Sequence, residues 1–523
     1  MSTATRQIAR AAGTVMFAFV LNSLMGLLRQ VLITRAFGTD AALDAFYAAS
    51  RLPEILFSLI AGGALASAFI PTFTGYLEKK TEAAAPQDAW QLASSVANLV
   101  GLALALVSAL AWFFAPQLVS GVLVPQFNPA QQALTVELLR IQLLTPVIFG
   151  LSGLLMGVLN AHQRFFLPAL APSMLWLGII LSIFIFVPSM GIHGLAWGAV
   201  LGSVLHLGVQ LPALLRLRPI YSPTLGLRLP GVRQVARLMA PRLLGVAVVQ
   251  LNFLVNTIVA SGMAAGSLAA ITVGFSVMLM PQQAIGQAIA IAALPTFSAL
   301  YARGDIAGLR TALASALRGI IFLALPATIG LILLRQPVVA LLFQRGEFGP
   351  DDTQLVAWAL LWYAAGLVGH SVVEIASRAF YALQDTRTPV LVGVGAMGLN
   401  VALSLTLPGV FARAGWMPHG GLALANSAAT FIEMLVLLWL MRGRLSGLEE
   451  GRLLRGAGQS ALASMAMLAA LWGWLAASAA QPLWLQAAGG IATGGLVYAA
   501  AAWLLRVPEL AGVITQLRAR LKR

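Results

Sequence analysis

The chain has 523 residues, of which 59% are hydrophobic and only 9% charged, with a mean hydropathy of +0.88. A water-soluble domain carries roughly a quarter charged residues, so this composition excludes a soluble globular protein and requires lipid as solvent. The net charge of +15 is read as the Lys and Arg excess of cytoplasmic loops and not as a nucleic-acid surface, and the absence of cysteine excludes disulfides and thiolate metal sites.

A membrane-spanning helix needs roughly 20 apolar residues, and hydrocarbon tolerates no open backbone. Stretches such as Leu99 to Ala115 and Ile320 to Leu334 are apolar all round and do not alternate as barrel strands would. The pattern predicts an all-α integral membrane protein of about 14 transmembrane helices. In the first half the expected spans are about 13 to 36, 45 to 75, 91 to 115, 133 to 160, 167 to 187 and 192 to 215. The second half supplies about 237 to 261, 267 to 300, 312 to 334, 353 to 382, 388 to 407 and 419 to 441. A last pair follows at about 456 to 477 and 484 to 505. Arg6 and Arg10 precede an apolar run that continues past Arg29 without an early cleavage site, which reads as an uncleaved first helix.

Charge sets the expected orientation. With both termini in the cytoplasm, the inner loops collect most Lys and Arg, from Lys79 and Lys80 through Arg216, Arg218 and Arg442 to the tail Arg518 to Arg523. The outer loops hold only Arg35, Arg335, Arg345 and Arg413, as the positive-inside rule demands.

An internal repeat accompanies this pattern. Ile70-Pro71-Thr72-Phe73 returns as Leu294-Pro295-Thr296-Phe297, 224 residues later. Ala161-His162-Gln163 with Pro168 returns as Ala382-Leu383-Gln384 with Pro389, and Gly194-Leu195-Ala196 returns as Gly421-Leu422-Ala423. An even number of helices separates each pair, so the halves share one orientation, an arrangement that in transporters places the substrate site between halves. The expected domains are a first lobe at 1–222, a second pseudo-symmetric six-helix lobe at 223–445, and a terminal helix pair with cytoplasmic tail at 446–523.

Intramembrane charges each need a reason, because one at the bilayer centre costs roughly 2.5 to 3.5 kcal/mol on insertion scales. Arg29, after Asn22, Ser23 and Gly26, offers a guanidinium for an anion, and snorkelling or pairing with Asp44 is the structural alternative. Arg51 and Glu54 are three apart and able to neutralise each other, Pro53 and Pro281 are candidate gate bends, and Gly62-Gly63 opens a small-residue packing face. Arg140 with Glu137, Arg242, Arg318, and Glu374 with Arg378 read as structural, whereas Glu433 has no cation at helical spacing. Asn252, Asn256, Asn400 and Asn426 are candidates for holding a sodium ion or for bonding between helices. Asp351-Asp352 reads as a helix start outside the membrane, and the five His residues show no ligand spacing. No Walker loop is present, so any pumping draws on an ion gradient or the membrane potential.

Several segments then resemble one family. Ala36-Phe37-Gly38-Thr39, Asp44-Ala45-Phe46, Leu52-Pro53 and Ala68-Phe69-Ile70-Pro71 are similar to the opening of the MurJ (MviN) lipid II flippases. Arg164-Phe165-Phe166-Leu167-Pro168, Leu342 to Phe348, and Phe380-Tyr381-Ala382 with Asp385-Thr386-Arg387-Thr388-Pro389 resemble later segments, in order, over nearly the whole chain. The resemblance implies fourteen helices of the multidrug/oligosaccharidyl-lipid/polysaccharide exporter superfamily in the bacterial inner membrane. It further implies a cationic cavity for the pyrophosphate and sugar headgroup, and a groove formed with helices thirteen and fourteen for the polyprenyl tail.

The family's charged positions are only partly kept. Its paired arginines of helix one fall on Ser23 and Arg29 and the following acid on Gln30. The arginine pair of helix two falls on Phe57 and Ser58, its glutamate on Gly62, and the Asp-Arg pair of helix eight on Phe275 and Ser276. The candidate substrate contacts are therefore Arg29, Arg51, Ser23, Asn22, Ser276 and Arg242, and the candidate gating residues Asp44, Glu54, Pro53, Gly62, Gly63 and Pro281, with metal ligands unassigned. The expected activity is alternating-access flipping of the lipid-linked peptidoglycan precursor for cell-wall synthesis and cell shape, by a transporter and not an enzyme. The expected partners are a polyprenyl-pyrophosphate-linked glycan, membrane lipid and cell-wall synthesis enzymes, and the candidate drives are sodium or membrane potential. The rivals are a flippase for another polyprenyl-linked glycan or amphipathic lipid, a cation-coupled drug exporter on the same scaffold, and a non-transport scaffold.

Overall fold

A computed structural model describes residues 3–60, 64–78 and 85–510, and all regular structure among them is helical. Gly62 and Gly63 lie outside the described residues, and Arg242 is described in its backbone alone. The chain divides into two compact units, Met1–Ala265 and Gly266–Arg523.

The first unit begins with α1 (Thr3–Phe37), α2 (Ala41–Ile60), α3 (Ala64–Leu77) and α4 (Ala85–Phe113), followed by the short α5 (Ala115–Leu118). Then come α6 (Pro129–Gln142), α7 (Leu144–Ala161), α8 (Phe166–Ile185), α9 (Val187–Met190), α10 (Ile192–Gly208), α11 (Leu211–Leu215) and α12 (Pro230–Ala260). The second unit holds α13 (Ser267–Gln282), α14 (Ala288–Ala302), α15 (Ile306–Leu333), α16 (Arg335–Phe343), α17 (Pro350–Ala365) and α18 (Leu367–Ala382). It ends with α19 (Arg387–Arg413), α20 (His419–Leu445), α21 (Glu450–Ala477) and α22 (Leu483–Leu504).

Among the described residues, 10 helices are long and apolar enough to cross a membrane, or 11 if the bent pair α17 and α18 is one span. These match the expected spans from the third onward except the seventh. The expected first, second and seventh spans each include residues outside the described backbone or side chains.

The repeat recurs as backbone geometry within each unit. After α7, Gln163 adopts a left-handed φ of 57°, and the Arg164 N–H donates back to the Leu159 carbonyl at 2.9 Å. After α18, Gln384 adopts φ 59°, and the Asp385 N–H donates to the Phe380 carbonyl at 3.0 Å. Both turns cap a helix whose last carbonyls would otherwise be orphaned. The helix pairs α8 with α10 and α19 with α20 also close alike, through left-handed Gly191 and Gly415. A β-carbon on Gly194 would sit 2.6 Å from the Phe186 carbonyl carbon, and one on Gly421 2.7 Å from the Pro408 nitrogen. Without a hydrophobic drive between helices in lipid, such close backbone contact is what holds them together.

The tenth expected span is broken. α17 and α18 meet at 45° across Gly366, and Ser427 of α20 donates its hydroxyl to the Trp362 carbonyl at 2.7 Å, satisfying an acceptor that the break frees. α6 and α7 change over at Leu143 in the first unit, where the Thr145 hydroxyl donates to the Gln142 carbonyl at 2.8 Å. In the second unit the break is set by space as well as bonding, since a β-carbon on Gly366 would lie 2.6 Å from Ser427 Oγ.

Gly366→Ala is expected to displace Ser427 and destabilise the second unit by about 1 to 3 kcal/mol, seen as a lower Tm in detergent. Gly398→Ala, with nothing within 4 Å of its β-carbon, is expected to leave Tm unchanged or raise it. In the loop after α18, Asp385 accepts from the Thr388 N–H at 3.0 Å and hydroxyl at 2.7 Å, and Arg444 donates to it at 3.0 Å. Those donors, Thr388 first and Arg444 after it, hold its carboxyl below the ordinary value of 3.8. The stabilisation is complete above that value and is lost as pH falls through the lower folded one. Asp385→Asn is therefore expected to lower Tm at pH 7, with the gap to the parent narrowing once pH drops below 3.8.

Candidate functional site

In the first unit α1 packs on α8, and Arg29 lies at that contact. Its guanidinium carbon is 4.3 Å from the centroid of the Trp176 ring, close enough for a cation–π interaction. One terminal nitrogen donates to Gln30 Oε1 at 2.9 Å, and Gln30 Nε2 donates in turn to the Tyr47 hydroxyl of α2 at 2.8 Å. Trp176 is held by its own N–H, which donates to Asn22 Oδ1 at 2.9 Å. Arg29 Nε is enclosed, and no acceptor meets it among the described residues. The side chain is half-buried within the first unit, and the group it presents is a guanidinium held by a ring face and an amide.

Arg51 forms a second cationic centre on α2. Its Nη1 contacts Glu54 Oε2 at 3.0 Å, its Nε donates to the Thr257 hydroxyl of α12 at 3.2 Å, and its guanidinium carbon is 5.5 Å from the Phe253 ring. The neutralising pair expected from the sequence therefore forms, and it also ties α2 to α12. Pro53 is buried inside α2, and Asp44, 2% exposed, sits in the first turn of the same helix.

The remaining candidates divide. Ser23 is exposed and donates to its own helix at the Phe19 carbonyl, and Ser276 likewise donates to the Val273 carbonyl. Phe57 packs on Phe149 at 4.7 Å, and Phe275 on Tyr363 at 5.1 Å, so aromatic contacts fill those two positions aligned with family charges. Pro281 lies one residue before the end of α13, where a π-helical turn, Gln283–Gln287, leads into α14.

Other charges find partners that spacing alone does not give. Glu137 accepts from His193 at 2.8 Å, while Arg140 donates to the Trp112 carbonyl and lies over its ring. Arg318 pairs with Glu509 at 2.9 Å, and Glu374 with Arg378 on one helix face as expected. Asn426 meets His370 at 3.0 Å, and the Ser404 hydroxyl donates to Asn400 Oδ1 at 3.2 Å. Asp352 accepts from the Gly349 N–H at 2.7 Å, the helix-start role expected of it. Sequence reasoning missed Trp176 and Tyr47, and also the buried His206, which meets Ser152 Oγ at 2.6 Å. Trp176 is 154 residues from Asn22, and no local pattern signals such a contact.

A family model described as lipid II flippase MurJ matches residues 33–488. The chain is 31% identical over 442 residues to the lipid II flippase MurJ of Burkholderia cenocepacia, covering 83% of this chain and 84% of that protein. It is 30% identical over 447 residues to the probable lipid II flippase MurJ of Vibrio cholerae, covering 83% of each. Among solved structures, lipid II flippase MurJ in an inward closed conformation superposes with a TM-score of 0.80 at 24% identity, over 94% of this chain and 98% of that one. An inward-facing multidrug resistance MATE family transporter of the MOP superfamily gives 0.67 at 18% identity, over 82% and 96%.

Proposed function

Because the chain belongs to the MurJ family of lipid II flippases, we propose that it carries the lipid-linked peptidoglycan precursor from the inner to the outer leaflet by alternating access. It is a multi-pass membrane transporter and not an enzyme. Its finer organisation is fourteen spans, as two six-helix lobes split near 222 and a terminal pair from 446, in the bacterial inner membrane with both termini cytoplasmic. The prenyl tail stays in hydrocarbon throughout, so only the charged headgroup needs help to cross.

Arg29 carries the substrate assignment. A half-buried guanidinium beside Trp176, whose Nε meets no acceptor among the described residues, is suited to a phosphate oxygen. Arg51 is bonded to Glu54 and serves to hold α2 and α12 together, a gating and not a headgroup role. A sodium gradient or the membrane potential supplies the drive.

In a flippase-depleted bacterium, the unmodified protein is expected to restore growth and Arg29→Ala to lose at least tenfold in plating efficiency at equal expression. Failure of the unmodified protein despite good expression would contradict the peptidoglycan assignment, and rescue by both would remove Arg29 from the mechanism.

A further inference from the structure

The Arg29 contact contains an arrangement that the family's charge pattern does not supply. Where that pattern carries an acid, this chain has Gln30, which accepts one Arg29 N–H at 2.9 Å without contributing charge. The only ring against the guanidinium among the described residues is Trp176, whose centroid lies 4.3 Å away.

The difference matters for an anion. A carboxylate partner would neutralise Arg29 and compete with an incoming phosphate for the same N–H groups. A ring attracts the cation through its face and leaves the in-plane N–H directions free. Glu54, the acid of α2 within electrostatic range of Arg29, is bonded to Arg51 at 3.0 Å. Among the described residues Arg29 thus makes no ion pair and its Nε meets no acceptor, and a buried donor of that kind wants one.

Trp176 is itself fixed. Its N–H is bonded to Asn22 Oδ1 at 2.9 Å, and a β-carbon at Gly26 would be 3.7 Å from the same nitrogen, an ordinary contact. Asn22, Gly26 and Arg29 recur at helical spacing along one face of α1, so that face docks the indole against the arginine. Gln30 is fixed from the other side by its bond to the Tyr47 hydroxyl at 2.8 Å.

We propose that Trp176 is a positioning residue for substrate recognition: it holds Arg29 as a carboxylate-free anion contact for the pyrophosphate of the lipid-linked headgroup. This rests on the transport reading above, and deepens it by naming what replaces the missing charged partner.

The test uses the full-length protein in detergent and three probes, a polyprenyl pyrophosphate, the matching monophosphate and the uncharged polyprenol, with binding read by native mass spectrometry. Trp176→Leu is expected to weaken pyrophosphate binding about three- to thirty-fold, as loss of a desolvated cation–π contact implies, and to leave polyprenol binding unchanged. Trp176→Phe, which keeps a ring, is expected to recover part of the affinity and serves if the leucine variant does not fold. In an Arg29→Ala background, Trp176→Leu is expected to add no further loss. Additive losses, or an equal loss for all three probes, would overturn the positioning role. If the unmodified protein binds none of the phosphorylated probes better than polyprenol, the lipid-linked substrate reading fails instead.

Discussion

A guanidinium half-buried among the helices of a lipid-embedded protein needs the protein to solvate much of its charge. Here Arg29 is met by a tryptophan face and a glutamine amide, and parts of α1, α2 and α8 join in that network. Trp176 brings α8 onto α1, Asn22 stops the indole from turning, and Tyr47 extends the network to α2. Removing the charge would leave a polar network built around nothing, whereas supplying an anion would complete it.

The physics of lipid translocation fits a site of this kind. A prenyl chain lies in hydrocarbon before, during and after transfer, so no protein contact need carry it across. The pyrophosphate is the expensive part, and under the proposed function a fixed cation such as Arg29 would lower that expense at one place.

Much of the fold was legible in the sequence because the bilayer imposes simple rules. Apolar length marked the spans, and loop charge gave their expected order. The repeat was visible as short identities, and its structural meaning is local: Gln163 and Gln384 occupy the same left-handed position, and Gly194 and Gly421 the same close approach. Pairs at helical spacing, Arg51 with Glu54 and Glu374 with Arg378, could also be read directly. The partners of Arg29, Arg318 and His206 could not, since each is reached across the fold. Glu509 lies far beyond any helical spacing from Arg318, and Trp176 is one of 12 tryptophans with nothing local to distinguish it. Ser23 and Ser276, candidate substrate contacts aligned with family charges, each donate their hydroxyl to their own helix, the ordinary fate of serine in an apolar helix.

The most direct measurement is an experimental structure of the protein with a lipid-linked pyrophosphate bound, read at the guanidinium of Arg29. A phosphate oxygen is expected about 2.7 to 3.2 Å from Nε or a terminal nitrogen, with the Trp176 ring still stacked on the same group. A phosphate held elsewhere, with Arg29 bonded only to Gln30 and Trp176, would contradict it.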